Sequence, residues 1–569
     1  MKIKLKLAGV GALSLIAAGC ANEKKEQRPN IIVILADDLG YSDLGCYGSE
    51  IHTPNLDRLA HNGLRFSQFY NQGRSCPTRA SLLTGLYSHQ AGVGRMTFDL
   101  DLPGYRGNLS QNAVTIAEVL GLQGYHTSMI GKWHVTETPQ RPDQREWLAH
   151  HVQYDTFGPL ETYPTSRGFD YYYGTIYGVI NFFDPFSLVY GKEPVPTVPA
   201  DYYATIAHAD SAVACLDRYA KTDSPFFMYL AFHAPHWPLH ALPDDIKKYE
   251  DVYRVGWEAI RNKRYERMKE LGIFDTKEEY LSERHFNDLW EDNPDFEYDA
   301  YAMAVHAAMI DRMDKEIGKL LKALEKNGQL DNTLIVFLSD NGCASDYCQM
   351  HVPGDNDRPA ELRNGEPMLY PREKEELPGP QNVFASIGPK WSNVSNTPFR
   401  WWKVTQYEGG ICTPFIAHWP KGIKVKHGSI IAETCHVMDI MATCLELSGA
   451  EYPVTFNGNE IIPLEGKSFA SIFKTGKRNQ SHDFIGFEHF REKALISKDG
   501  WKIVQRPRNT EFEWELYNLK TDRTEMRNLA AQHPEKVEQM LTTWKEWAAR
   551  TNVLPSPQPL WREESRRSE

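Results

Sequence analysis

The chain has 569 residues, 41% of them apolar and 12% aromatic, and its Lys+Arg 63 against Asp+Glu 75 give a formal charge of -12. Such a chain buries one or more large cores. Its cations are scattered rather than clustered, which excludes a nucleic-acid partner, so any anion must be held by a few aimed side chains against the overall charge.

Lys2, Lys4 and Lys6 precede an apolar stretch from Leu7 to Ile16, and Ala17-Ala18-Gly19-Cys20 follows. The pattern over residues 1–20 resembles a bacterial lipoprotein signal peptide, and the stretch is too short to span a bilayer. Cleavage before Cys20 and lipidation of that residue are expected, leaving residues 21–28 as a polar tether; a plain secretory signal is the alternative. Either reading exports the protein. In the first it is a periplasmic or cell-surface lipoprotein that meets the membrane only through the lipid on Cys20.

From residue 29 strands and helices alternate. Asn30 to Ala36 reads as a buried central strand, Thr53 to Asn62 as a helix and Phe66 to Tyr70 as a strand. Pro77 suits a helix's first turn and Gly85 its end, which puts Ser75 just ahead of a helix N-terminus. Ala113 to Leu120 reads as a helix and Thr127 to Ile130 as a strand ending at Gly131. Tyr203 to Tyr219 and Tyr301 to Glu325 have helical periodicity, whereas Phe226 to Phe232 and Thr333 to Leu338 read as core strands. Phe415 to His418 and the Met438 to Leu447 helix close the series. This order predicts an α/β fold, a large mixed or parallel sheet between helices. Tyr154 to Pro199 and Cys343 to Asn396 break the rhythm and read as long loops. After residue 450 come short strands at Ala494 to Ser497, Lys502 to Gln505 and Glu513 to Tyr517, then a helix from Pro534 to Arg550. The division is therefore residues 29–450 and a smaller α+β C-terminal subdomain over 451–569.

Polar clusters fall at the carboxyl ends of these strands, where open α/β sheets bind ligands. Asp37-Asp38 follows the first strand and Asp340-Asn341-Gly342 repeats the arrangement, so two strands deliver hard oxygen ligands suited to calcium or magnesium. Ser75-Cys76-Pro77-Thr78-Arg79 opens a helix whose free N–H groups and dipole favour an anion. Gly131-Lys132-Trp133-His134 supplies a point charge and a group that titrates near neutrality. His236 lies in His233-Ala234-Pro235-His236-Trp237-Pro238, and Lys403 precedes Glu408-Gly409-Gly410, where the glycines suit close backbone approach. No CxxC pair exists. Cys343 and Cys348 are near enough for a disulfide, and two buried free thiols fit equally.

Together these motifs, from about Pro29 to Ala450, resemble the sulfatases, above all bacterial arylsulfatase-like members. The resemblance implies an alkaline-phosphatase-like α/β/α sandwich and oxidation of Ser75 to formylglycine by a maturation enzyme; many members carry Cys at that position, and Cys76 here stands one place later. It implies one calcium ion held by Asp37, Asp38, Ser75, Asp340 and Asn341, with magnesium the lesser choice. It also implies Arg79 and Lys132 orienting the formylglycine hydrate, His134 as the base of the later step and Asp340 taking a proton from the attacking hydroxyl. His236, Lys403 and Lys132 would bind sulfate. The expected substrate is a sulfated carbohydrate, with aryl sulfates a close variant, and a phosphatase or phosphodiesterase on the same fold is the alternative. From the second long loop, His351 and Arg358 are candidates for sugar contacts.

Overall fold

Residues 28–138, 156–274, 280–350, 358–505 and 513–557 are described by a computed structural model. The signal peptide, Cys20, the tether up to residue 27 and His351 lie outside them.

Asn30–Ala36 forms β1, near the middle of an eleven-stranded sheet. Its side chains alternate between two cores. Ile32 and Ile34 face one with the Ala204–Tyr219 and Phe296–Lys326 helices, while Ile31, Val33 and Leu35 face the other with α2 (Ser75–Thr84), α3 (Ile116–Leu122) and the Asp439–Ser448 helix. A strand buried on both faces needs the unbroken apolar run that the sequence shows.

The other strands in chain order are β2 (Leu64–Tyr70), β3 (His126–Lys132), β4 (Tyr171–Thr175), β5 (Leu188–Tyr190), β6 (Glu193–Pro194), β7 (Phe226–Ala231), β8 (Thr333–Ser339), β9 (Cys412–His418), β10 (Ser429–Ile431) and β11 (Cys435–His436). They run β10-β2-β9-β8-β1-β7-β3-β4-β5-β6, with β11 also on β2. Strands β8, β1, β7, β3 and β4 are mutually parallel, and β9 is antiparallel to both β8 and β2. The carboxyl ends of β1, β2, β3, β7 and β8 therefore share one edge of the sheet with the amino end of β9. The mixed, helix-flanked sheet agrees with the α/β expectation.

Three details depart from it. Helix α2 begins at Ser75, with extended Arg74 before it, because the Thr78 N–H already bonds to the Arg74 carbonyl at 3.0 Å. Ser75 is the first helical residue rather than the one ahead of it, and Pro77 sits where no helical donor is needed. The segment Tyr154 to Pro199 is not all loop: β4 extends the sheet beside β3, and a Cβ on Gly174 would lie 1.9 Å from the Gly131 carbonyl oxygen. Its tyrosines and glycines carry no apolar run, which hid the strand. Likewise Gly388–Ser395 is a helix inside the second predicted loop.

Beyond a two-stranded β12 (Thr455–Phe456) and β13 (Asn459–Glu460), the C-terminal part is an antiparallel sheet of β14 (Phe484–His489), β15 (Glu492–Ser497), β16 (Trp501–Gln505) and β17 (Glu515–Asn518), covered by the Pro534–Arg550 helix. The sequence reading lacked β14. Cys343 and Cys348 are both buried and no disulfide joins them, so the open choice falls to two separate thiols. Among the described residues no helix is long and apolar enough to cross a membrane.

Candidate active site

The polar residues converge because of strand direction. Register pairs Ala36 of β1 with Ser339 of β8, so Asp37 and Asp38 leave the sheet in step with Asp340 and Asn341. The Ser339 hydroxyl accepts from the Leu39 N–H at 3.0 Å and donates to the Asn341 carbonyl at 2.8 Å, tying both turns together. Sequence reasoning passed over Ser339; a hydroxyl closing a strand just before an acidic turn was the available signal. Asp38 takes a left-handed conformation, φ 63°, a strain that a site must hold in place.

Helix α2 is buried over its full length, which places Ser75 against these turns. Arg79, one turn on, donates from Nε to the Ser75 hydroxyl at 2.9 Å and from Nη2 to Asp340 Oδ2 at 2.8 Å, while Nη1 donates to the Lys132 carbonyl at 2.9 Å. Lys132, closing β3, puts Nζ 2.5 Å from Asp37 Oδ2. Lys403 arrives on the segment leading into antiparallel β9 and sits 2.7 Å from Asp38 Oδ1. The glycines after it allow this approach: a Cβ on Gly410 would fall 2.0 Å from the Thr405 carbonyl oxygen, and one on Gly342 only 1.8 Å from that of Gly409.

His236 follows β7, donates from Nδ1 to the Trp237 carbonyl at 2.5 Å and turns Nε2 toward Asp38 Oδ2 at 3.4 Å. Burial pushes its pKa down to about 3 despite Asp38. His134 is left-handed, φ 57°, and packs against Gly178, where a Cβ would meet its ring at 2.2 Å; its Nδ1 has no hydrogen-bond partner among the described residues. Burial, followed by the Lys132 and Arg79 charges, holds it well below the usual imidazole range. His233, from the same loop as His236, instead bonds Thr175 Oγ1 through Nε2 at 2.7 Å.

The acids divide. Burial raises all three, but Arg79 and Lys132 overcome it at Asp340, and His236 and Lys403 overcome it at Asp38, so both stay ionised. At Asp37 burial and the Asp340 charge prevail, pushing its pKa to about 8. Burial and the Arg74 charge pull the Lys403 ammonium down, and Asp38 outweighs both. Asp37 Oδ1 and Asn341 Oδ1 are buried with no hydrogen-bond partner among the described residues. Two orphaned oxygens among four hard-oxygen side chains fit a divalent cation, which would satisfy both and draw the Asp37 proton off.

Asp37, Asp38, Ser75, Arg79, Lys132, His236, Asp340, Asn341 and Lys403 are thus brought together, with His134 in their electrostatic field. Arg358 is adjacent rather than inside: it donates from Nη1 to the Met350 carbonyl at 3.2 Å and lies over the Trp237 ring at 5.9 Å.

Fold and site define a hydrolase with the alkaline-phosphatase-like α/β architecture. Residues 29–450 match the sulfatase family model, and residues 399–549 match that of the C-terminal region of N-sulphoglucosamine sulphohydrolase. The chain is 34% identical to an arylsulfatase of Klebsiella aerogenes over 84% of its length and 100% of the relative's, and 32% identical to an uncharacterised sulfatase of Schizosaccharomyces pombe over 94% and 96%. Among solved structures, that of Ps i-CgsB in complex with k-i-k-neocarrahexaose superposes with a TM-score of 0.64 at 26% identity, covering 95% of this chain and 96% of the other. The chain belongs to the sulfatase family and is a sulfuric ester hydrolase.

Proposed function

We propose that this enzyme removes sulfate from carbohydrates, using a formylglycine made from Ser75 and a calcium ion held by Asp37, Asp38, Asp340, Asn341 and residue 75. The observation that carries this reading is the Ser75 hydroxyl itself, fixed by Arg79 at 2.9 Å beside the orphaned oxygens of Asp37 and Asn341. The similarity to a structure in complex with a neocarrahexaose supports the carbohydrate. The formylglycine hydrate supplies an oxygen nucleophile with a second, geminal hydroxyl, and calcium supplies positive charge for the sulfate oxygens.

This chain's own residues do the rest. Arg79 and Lys132 orient side chain 75, and Asp340, ionised beside Arg79, accepts its proton as it attacks sulfur. Lys132 and Lys403 hold the non-bridging sulfate oxygens as point charges in a water-poor site. His236 sits where the leaving oxygen needs a proton, and His134 is the base for releasing sulfate. Export on the N-terminal signal, a lipid on Cys20 and maturation by an enzyme able to oxidise serine complete the proposal.

The test is mass analysis of the peptide containing residue 75 from a host with such an enzyme, combined with product assays. Loss of two hydrogen atoms at Ser75 and sulfate release from sulfated saccharides are expected. Unmodified Ser75 in active enzyme, or phosphate release from phosphate esters exceeding sulfate release, would overturn it.

A further inference from the structure

Each cation that touches the inner site already has an acid: Lys132 pairs with Asp37, Arg79 with Asp340 and Lys403 with Asp38. Arg74 differs. It adjoins Ser75, is half-buried, acts electrostatically on Lys403, and forms no ion pair among the described residues. Its guanidinium lies over the Phe490 ring at 5.6 Å, and Arg95 lies over the same ring at 5.1 Å.

Phe490 belongs to the C-terminal sheet, at the tip of the β14–β15 hairpin. Register pairs His489 with Glu492, leaving Phe490 and Arg491 as a two-residue turn with φ 49° and 70°. Tight right-twisting hairpins demand left-handed turn residues, normally Asn or Gly. A bulky Phe there is costly, and its side chain is spent on neither core. The hairpin's acids are engaged elsewhere: Glu488 accepts from the Arg491 N–H at 2.8 Å and contacts His89 Nε2 at 2.9 Å, and Glu492 accepts from the Gln406 N–H at 3.3 Å. That last bond seats the tip on the segment between Lys403 and β9, while the Val404 N–H bonds the Gly73 carbonyl at 2.8 Å. Arginine and aromatic ring thus stand together at the junction of the Ser75 and Lys403 segments.

We propose that Arg74 and Phe490 form a subsite for a second oxyanion, sulfate or carboxylate, on the sugar that bears the scissile sulfate or on its neighbour, with Phe490 stacking against the sugar ring. The proposal rests on the carbohydrate sulfatase reading and narrows it to multiply anionic saccharides. Against a protein charge of -12, a guanidinium without an acid partner among the described residues is the group able to make a charge-assisted, two-pronged contact with such an anion.

Calorimetric titration of the full, calcium-loaded chain tests this, in a Ser75→Ala background that leaves the probe uncleaved. The probes are inorganic sulfate, sucrose octasulfate and digalacturonate. Arg74→Gln should weaken octasulfate binding about ten-fold or more and inorganic sulfate under about two-fold. Arg74→Lys should recover part of the loss, and Phe490→Ala should weaken the saccharide alone. A matching loss for digalacturonate identifies a carboxylate as a competent ligand, and no loss there assigns the subsite to sulfate. Equal losses on octasulfate and inorganic sulfate, or none, would overturn the proposal, with Phe490→Ala deciding if Arg74→Gln does not fold. Release of sulfate from 4-nitrophenyl sulfate by the Ser75 enzyme is scored separately, so failure of the catalytic reading is distinguishable from failure of the subsite.

Discussion

Asn341 Nδ2 donates to Asp38 Oδ1 at 2.6 Å, and this bond turns the Asn341 amide oxygen into a buried position with no hydrogen-bond partner among the described residues. A buried acceptor left unsatisfied costs about 1–3 kcal/mol. Together with the orphaned Oδ1 of Asp37 it marks where a cation would be welcomed, between the ends of two strands whose register sets their residues side by side.

Metal removal should therefore be felt in both activity and stability. Chelator is expected to abolish turnover, and calcium at about a hundred times its Kd should add about 2.7 kcal/mol to unfolding free energy. Thermal melts with and without calcium measure this, and the Asp37→Ala/Asp340→Ala double variant should show no calcium response.

Ser75→Ala should lose at least about a thousand-fold in kcat, since removing a nucleophile leaves only binding and charge stabilisation. Ser75→Cys should be active when made in hosts that oxidise only cysteine. Initial rates on an aryl sulfate decide both, and substantial activity in the alanine variant would refute the nucleophile.

Acid should unfold the enzyme through its buried histidines. His240 accepts from the Phe182 N–H at 3.4 Å and contacts the Val383 carbonyl through Nε2 at 3.1 Å, and burial pushes its pKa down to about 3, as it does for His208 and His436. In the unfolded chain histidine titrates near 6.5. The folded state thus binds fewer protons below that value, so stability is complete above about pH 6.5 and falls toward pH 3, by about 1.4 kcal/mol per pH unit for each histidine. Melting temperatures between pH 7 and 4 check the slope, and His240→Gln should reduce it by one proton's worth.

The C-terminal sheet is latched to the catalytic part by Lys502, whose Nζ lies 3.0 Å from Glu408 Oε1 and 2.7 Å from Glu525 Oε1, all three side chains being fully buried. Lys502→Met should cost about 3–5 kcal/mol, because two buried carboxylates lose the cation they share, Glu408 keeping the longer contact to Arg523 Nη2 at 3.8 Å. Denaturant unfolding measures the loss, and Lys502→Met/Glu408→Gln/Glu525→Gln should recover much of it.

Arg358→Ala should lower kcat/KM for a sulfated saccharide more than for a small aryl sulfate, since Arg358 lies over Trp237, next to His236, rather than among the metal and sulfate residues. His351→Ala is expected to show the same selectivity. Equal losses on both substrates would assign these residues to the sulfate pocket or the scaffold.

The sequence alone determined what is local or strongly periodic. The apolar runs of β1, β7 and β8, the helix from Pro534 and the Asp-Asp, Ser-Cys-Pro-Thr-Arg and Lys-Trp-His motifs were legible because burial on two faces and strand-end chemistry leave unmistakable residue patterns. Tertiary structure decided what depends on distant partners. Strand β4 has no apolar run and exists because β3 offers an edge and Gly174 permits close approach. Lys403 reaches Asp38 only because β9 runs antiparallel, which brings its amino end to the edge where β1 and β8 finish. The pairing of the cations with the acids, and the reach of Phe490 from a separate sheet to Arg74, follow from packing that no spacing along the chain encodes, because each contact joins segments at least 95 residues apart.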